Sequence, residues 1–95
     1  MGFAYVVGQV TVKDEAKWAE YRGKVPETFG AWGGEPMFRG KQFAALAGDC
    51  PHADVVVLRF PNAEALKGWF DSSAYQALIP LRDAAADVVL TAYEG

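Results

Sequence analysis

The sequence predicts an α+β domain in which two helices cover one face of a four-stranded antiparallel sheet. Three observations predict it. Segments rich in Val, Tyr and Phe alternate with segments of helical apolar period, in the order strand, helix, strand, strand, helix, strand. The strands are apolar on both faces at their centres, whereas a sheet with one wet face should alternate. With 95 residues, 52% of them hydrophobic, the chain can build a single core, so residues 1–95 are taken as one domain.

Phe3 to Val12 is the first predicted strand, with Phe3, Tyr5 and Val7 on one side and Ala4, Val6, Val10 and Val12 on the other. Asp14 can cap the following helix and Glu15 sits in its first turn. Trp18, Tyr21, Val25, Phe29 and Trp32 form its apolar stripe; Pro26 interrupts it and Gly33-Gly34 end it. Met37 to Leu46 reads as the second strand, with a bulge at Gly40. Gly48 to His52 is turn chemistry. Asp54 to Phe60 is the third strand, closed by Pro61. Asn62 caps a helix carrying Leu66, Trp69 and Phe70. Ser72 or Ser73 restarts a helical turn and Pro80 starts another. Ala86 to Tyr93 is the last strand. This order is the split βαβ, or ferredoxin-like, pattern.

Both sheet faces being apolar has a consequence. Val6, Val10, Val56, Leu58, Val88 and Leu90 cannot lie under the helices together with their strand neighbours. The uncovered face is then a large apolar patch, which marks association. A homodimer packed through the open sheet face is the expected remedy.

Composition excludes several classes. The net charge of −3 and pI of about 5.0, without a basic block, argue against nucleic acid. The aliphatic third strand DVVVLRF also lacks the basic-aromatic pattern of an RNA-binding sheet. The opening MGFAYVVGQVTV lacks a basic leader and is too short and alternating for a membrane span; a cytoplasmic protein is expected. One His and one Cys are too few for a usual zinc site, and neither metal nor cofactor is expected. Cys50 has only His52 beside it as a cation, so an activated thiolate is not expected, and His52 reads as a solvated turn residue.

Chemistry-bearing residues concentrate in WFDSSAYQALIPLR, residues 69–82. Asp71, Tyr75, Leu78 and Arg82 share a face on an unbroken helix, but a rise of ~1.5 Å per residue puts Asp71 and Arg82 ~16 Å apart. A break at Pro80 lets Arg82 approach Asp71 or Tyr75, in a corner walled by Trp69 and Phe70. Asp71 is either a general base with its pKa raised by aromatic walls or an N-cap. Tyr75 is a proton donor or a core residue with its hydroxyl at the edge. Tyr21 lies on the core stripe of the first helix. Arg82 is a carboxylate anchor or the partner of Asp71 or Asp83, and Arg39 shares that ambiguity. Arg59, alternating with apolar neighbours, is expected at an edge or rim. The candidate catalytic residues are therefore Asp71 and Tyr75; the candidate ligand-binding residues are Arg39, Arg82, Ser72, Trp69 and Tyr21.

Over nearly its whole length the sequence resembles the DUF1330 family, a domain of unknown function. The resemblance runs through Tyr21, Val25-Pro26, Trp32-Gly33-Gly34, Arg39-Gly40 and Arg59-Phe60-Pro61. It is most specific in Trp69-Phe70-Asp71-Ser72 with Tyr75, Leu78 and Arg82. Lys41 stands where the family often has a second glycine, and Ala47-Gly48 where it often has Glu-Gly. The resemblance implies a dimeric α/β barrel of ferredoxin-like fold. Distant relatives of that architecture include small monooxygenases, isomerases and lactone-processing enzymes, which hold organic substrates between sheet and helices. Three functions follow as expectations: a module binding a small organic ligand, such as an acid held by Arg39 or Arg82; a cofactor-independent enzyme transferring protons through Asp71 and Tyr75; and a structural or regulatory dimer without ligand.

Overall fold

A computed structural model describes residues 2–95. Strands β1 (Ala4–Val12), β2 (Glu35–Lys41), β3 (Asp54–Phe60) and β4 (Ala86–Glu94) form one antiparallel sheet in the order β2-β3-β1-β4. Helix α1 (Glu15–Phe29) and the short helices α2 (Ala63–Asp71), α3 (Ser73–Gln76) and α4 (Ile79–Ala85) make the second layer. The architecture is the ferredoxin-like one expected, with the second helical region divided into three pieces.

Local sequence accounts for the boundaries. Asp14 Oδ1 accepts the Lys17 amide at 3.0 Å and Asn62 Oδ1 accepts the Ala65 amide at 2.8 Å, which satisfies donors that a helix start leaves free. Helix α1 runs on through Pro26, whose ring fixes a helical φ, and passes into a 3-10 turn at Gly30–Trp32. Gly33, at φ 76°, then ends it in the left-handed region that favours glycine. Asp71 is not the cap of the next turn. It is the last residue of α2, and Ser72 takes the role: its Oγ accepts the Tyr75 amide at 3.2 Å and donates to the Trp69 carbonyl at 2.6 Å.

Three further expectations are corrected. Strand β2 begins at Glu35 and its ladder stops at Lys41 opposite Asp54, so residues 43–46 are loop; Phe43 and Leu46 there are 97% and 93% exposed. Apolar residues alone make no strand where no partner remains to pair with. The register irregularity lies between Pro36 and Phe38, not at Gly40, which instead leaves room for the Phe38 ring: a Cβ there would meet it at 2.7 Å. Arg59 is on an inner strand, held by Glu35 across β2 and 4.2 Å from the centre of the Phe3 ring.

The core lies between the layers. Ala4, Val6, Leu58 and Phe60 of the sheet meet Tyr21, Phe29, Leu66, Trp69 and Tyr75 of the helical layer. Their strand neighbours Tyr5, Val7, Val55, Val57 and Val89 take the opposite face, which no helix or strand among the described residues covers. Among the described residues, no helix is long and apolar enough to cross a membrane.

Candidate functional site

Between α1 and the sheet lies a cavity of about 300 Å³. Val6, Val10, Val56, Leu58, Val88 and Leu90 make its floor. Trp18, Tyr21, Val25, Pro26 and Phe29 of α1 make one wall, and Trp69 of α2 closes it. Among the described residues, the charged groups on its lining come from α1 and the β2–β3 ladder: Glu15, Arg22, Arg39, Lys41 and Asp54. Lys41 and Asp54 are paired at 2.9 Å. Among the described residues, neither Arg22 nor Arg39 has a carboxylate within ion-pair distance. The pKa of Arg39 is lowered, first by its partial burial and then by the like charge of Arg22.

Beside this cavity runs a buried polar chain. Tyr21 Oη and Tyr75 Oη are 2.9 Å apart, and Arg82 Nη1 donates to Tyr75 Oη at 3.1 Å. Arg82 Nε donates to Asp83 at 3.1 Å. Tyr75 is fully buried, with ring centres of Trp69 at 4.4 Å and Phe70 at 5.5 Å. These are the aromatic walls the sequence suggested, closed around a phenol instead of a carboxylate. The Tyr21 phenol is pushed far above its ordinary range, mainly because burial disfavours phenolate and also through Tyr75. Burial alone works against the Arg82 charge, but Tyr75 and Asp83 outweigh it and its pKa is raised. Two hydrogen-bonded phenols propped by a guanidinium make a rigid hydrogen-bonding corner.

The structure therefore brings together only part of the predicted set. Tyr21 and Trp69 line the main cavity, as does Arg39. Tyr75 and Arg82 are not on its lining: Tyr75 adjoins it through Tyr21 and Trp69, and Arg82 adjoins it through Tyr75. Ser72 serves the backbone of its own turn. Asp71 is exposed and lines a smaller cavity of about 220 Å³ with Val6, Leu66, Phe70 and Thr91, so it shares no cavity with Tyr75. Arg82 turns to Tyr75 and Asp83, not to Asp71. Sequence reasoning missed Arg22 as a site residue. Its spacing of four from Trp18 and from Pro26 puts it on the cavity face of α1, a signal that was present. Among the described residues, no three His, Cys, Asp or Glu side chains gather as a metal set.

The fold and this cavity define a ferredoxin-like protein with a ligand-sized space between helices and sheet. The chain belongs to the DUF1330 family, described as a domain of unknown function, whose pattern matches residues 3–95. Its fold is similar to a protein of unknown function from Rhodopseudomonas palustris, at 19% identity and TM-score 0.83 over 99% of this chain and 82% of that one. It is also similar to a dimeric ferredoxin-like protein of unknown function from Jannaschia, at 11% identity and TM-score 0.78 over 99% of this chain and 100% of that one. A third similar structure is SnoaB, a cofactor-independent oxygenase from Streptomyces nogalater, at 10% identity and TM-score 0.73 over 100% of this chain and 94% of that one. At such identities the likeness establishes the fold alone. No curated protein matches the chain in sequence.

Proposed function

We propose that the protein is a cytoplasmic homodimer that binds a small organic acid in the cavity between α1 and the sheet. The single observation that carries the binding half is that cavity: about 300 Å³, walled by Trp18, Tyr21 and Trp69, with an arginine on its lining, Arg39, that has no carboxylate within ion-pair distance among the described residues. Pockets of this size, mostly apolar with a few polar groups, are characteristic of small-ligand sites. Of the two anchors expected from sequence, Arg39 suits the role better, because Arg82 is engaged with Tyr75 and Asp83.

The dimer rests on the open sheet face. The molecule is a slab with extents of 32 × 30 × 16 Å, so its broad face is wide enough for the ~800 Å² per partner of an ordinary stable interface. Phe3, Val89 and Tyr93 on or beside that face are 44%, 47% and 55% exposed in the single chain, a patch that a second copy would cover. The dimeric ferredoxin-like neighbour supports this reading.

Thermal unfolding in the presence of a panel of small organic acids tests the binding half. A ligand at a hundred times its Kd stabilises the fold by about 2.7 kcal/mol, and a co-crystal should then show it between α1 and β3. A panel that leaves the melting temperature unmoved and the cavity empty contradicts the proposal.

A second reading, a cofactor-independent enzyme, draws support from the likeness to SnoaB. It assigns proton transfer to Asp71 and Tyr75. Their separation into different surroundings favours binding over this pair as a catalytic unit. Asp71→Asn decides between them. An enzyme of that kind loses turnover while keeping its affinity. A binding module keeps its affinity, and its stability changes by less than ~0.5 kcal/mol, as for most exposed substitutions.

A further inference from the structure

The strand register aligns four helix-facing residues across the sheet in one row: Arg39 opposite Val56, Val56 opposite Gly8, and Gly8 opposite Leu90. The row starts at a cation and continues apolar. Its third member has no side chain. A Cβ on Gly8 would lie 2.9 Å from Val56 Cγ1 and 3.1 Å from Leu90 Cδ2, so those two side chains lean into the place a larger residue would take. Both line the cavity. Two strand spacings separate Arg39 from Gly8, about 10 Å.

Above the row, α1 presents Trp18, Arg22, Val25 and Pro26 to the same cavity. Arg22 and Arg39 stand on the lining of one cavity, and the like charge of Arg22 adds to burial in lowering the Arg39 pKa. Among the described residues, neither guanidinium has a carboxylate within ion-pair distance: Asp54 on the same lining is paired with Lys41, Glu15 on that lining pairs with neither, and other carboxylates are paired with Lys13, Lys24, Arg59 and Arg82. Two like charges on the lining of a mostly apolar cavity repel until an anion binds between them. A guanidinium fork is suited to a carboxylate, through two parallel hydrogen bonds.

Building on the binding reading above, we propose that Arg22 and Arg39 form a two-armed clamp for the carboxylate of an elongated apolar acid, whose body lies across the strands with its far end over Gly8. The ligand class follows from the distances: a monocarboxylate with a flat or linear apolar body about 10 Å long, such as a two-ring aromatic acid or a medium-chain fatty acid. Arg82, tied to Tyr75 and Asp83, takes no part in the anchor.

Titration calorimetry with benzoate, 2-naphthoate and octanoate, each beside its methyl ester, tests the clamp. The acids should bind the wild-type protein more tightly than the esters. Arg22→Gln and Arg39→Gln should each weaken the acids about tenfold, the scale of a lost charge-assisted hydrogen bond, and leave the esters unmoved. Arg82→Gln should preserve the preference for acid. Gly8→Ala should weaken 2-naphthoate more than benzoate, because Val56 and Leu90 are pushed up into the far end of the cavity; the arginine variants, altered at exposed side chains, decide the case should that variant fail to fold. Equal affinity for acid and ester, or acid affinity unchanged in Arg22→Gln, overturns the clamp while leaving the cavity as a binding site. Absence of binding by every acid and every ester at millimolar concentration overturns the binding reading and the clamp with it.

Discussion

The two faces of the sheet are built from nearly the same amino acids and have different fates. Val6, Val10, Val56 and Leu90 face the helices; Val7, Val55, Val57 and Val89, one residue along each strand, face away. On the helical side the apolar side chains meet Trp69, Tyr75 and Phe29, and the packing opens at the cavity under α1 and at the smaller one beside α2. On the other side no helix or strand among the described residues arrives, and the apolar residues are shielded mainly by their neighbours on that face. Burial is thus set by what the connections deliver to each face, not by the strand residues themselves. One face needs its own helices and the other needs a second molecule.

Charging the uncovered face gives the largest expected effect. Val57→Lys places a lysine in the middle of that face, and across a two-fold axis it would bury two unpaired cations. Dimer affinity should fall by about a hundredfold or more, while circular dichroism of the separated chain stays native, because residue 57 is only half-buried there and a lysine can carry its charge out to water. Unchanged association in sedimentation would place the interface elsewhere.

The helical face should respond in the opposite sense, through folding. Trp69 is 2% exposed, packs on Phe60 and Tyr75, and donates its Nε1 hydrogen to Thr28 Oγ1 at 2.9 Å. Trp69→Ala should cost about 3–5 kcal/mol, read as a lower midpoint in urea unfolding, and an effect below about 1 kcal/mol would mean that the two layers are not joined there.

A smaller effect sharpens the contrast by pH. The Tyr21 phenol is raised above its ordinary value, so both folded and unfolded chains keep that proton below about pH 10. Above that pH the unfolded chain releases it and the folded chain does not. Stability should therefore fall as pH rises past 10, by up to about 1.4 kcal/mol per pH unit from this one group. Tyr21→Phe should remove that part of the slope. The same alkaline slope in wild type and variant would show that the phenol is wet.

Much of this frame is legible in the residues. The caps Asp14 and Asn62, the glycine stop at Gly33 and the strand Asp54–Phe60 follow from local chemistry that no tertiary contact overrides. Strand β2 was less legible, because Phe43 to Leu46 is as apolar as a strand and only the missing partner shows otherwise. The polar corner was half legible. Trp69, Phe70, Tyr75 and Arg82 do gather, but the chain uses Ser72 as the cap and leaves Asp71 outside. The contact between Tyr21 and Tyr75 joins residues 54 apart, and the row from Arg39 to Gly8 exists only once three strands are in register. Local sequence carries neither. Arg22 was overlooked because a cation within an apolar stripe reads as a solvated side chain.

Sedimentation equilibrium of the wild-type chain at micromolar concentration tests the contrast between the faces most directly. The mass should be that of two chains of 10.3 kDa. A stable single chain at that concentration would mean that water, not a second copy, covers Val57 and its neighbours.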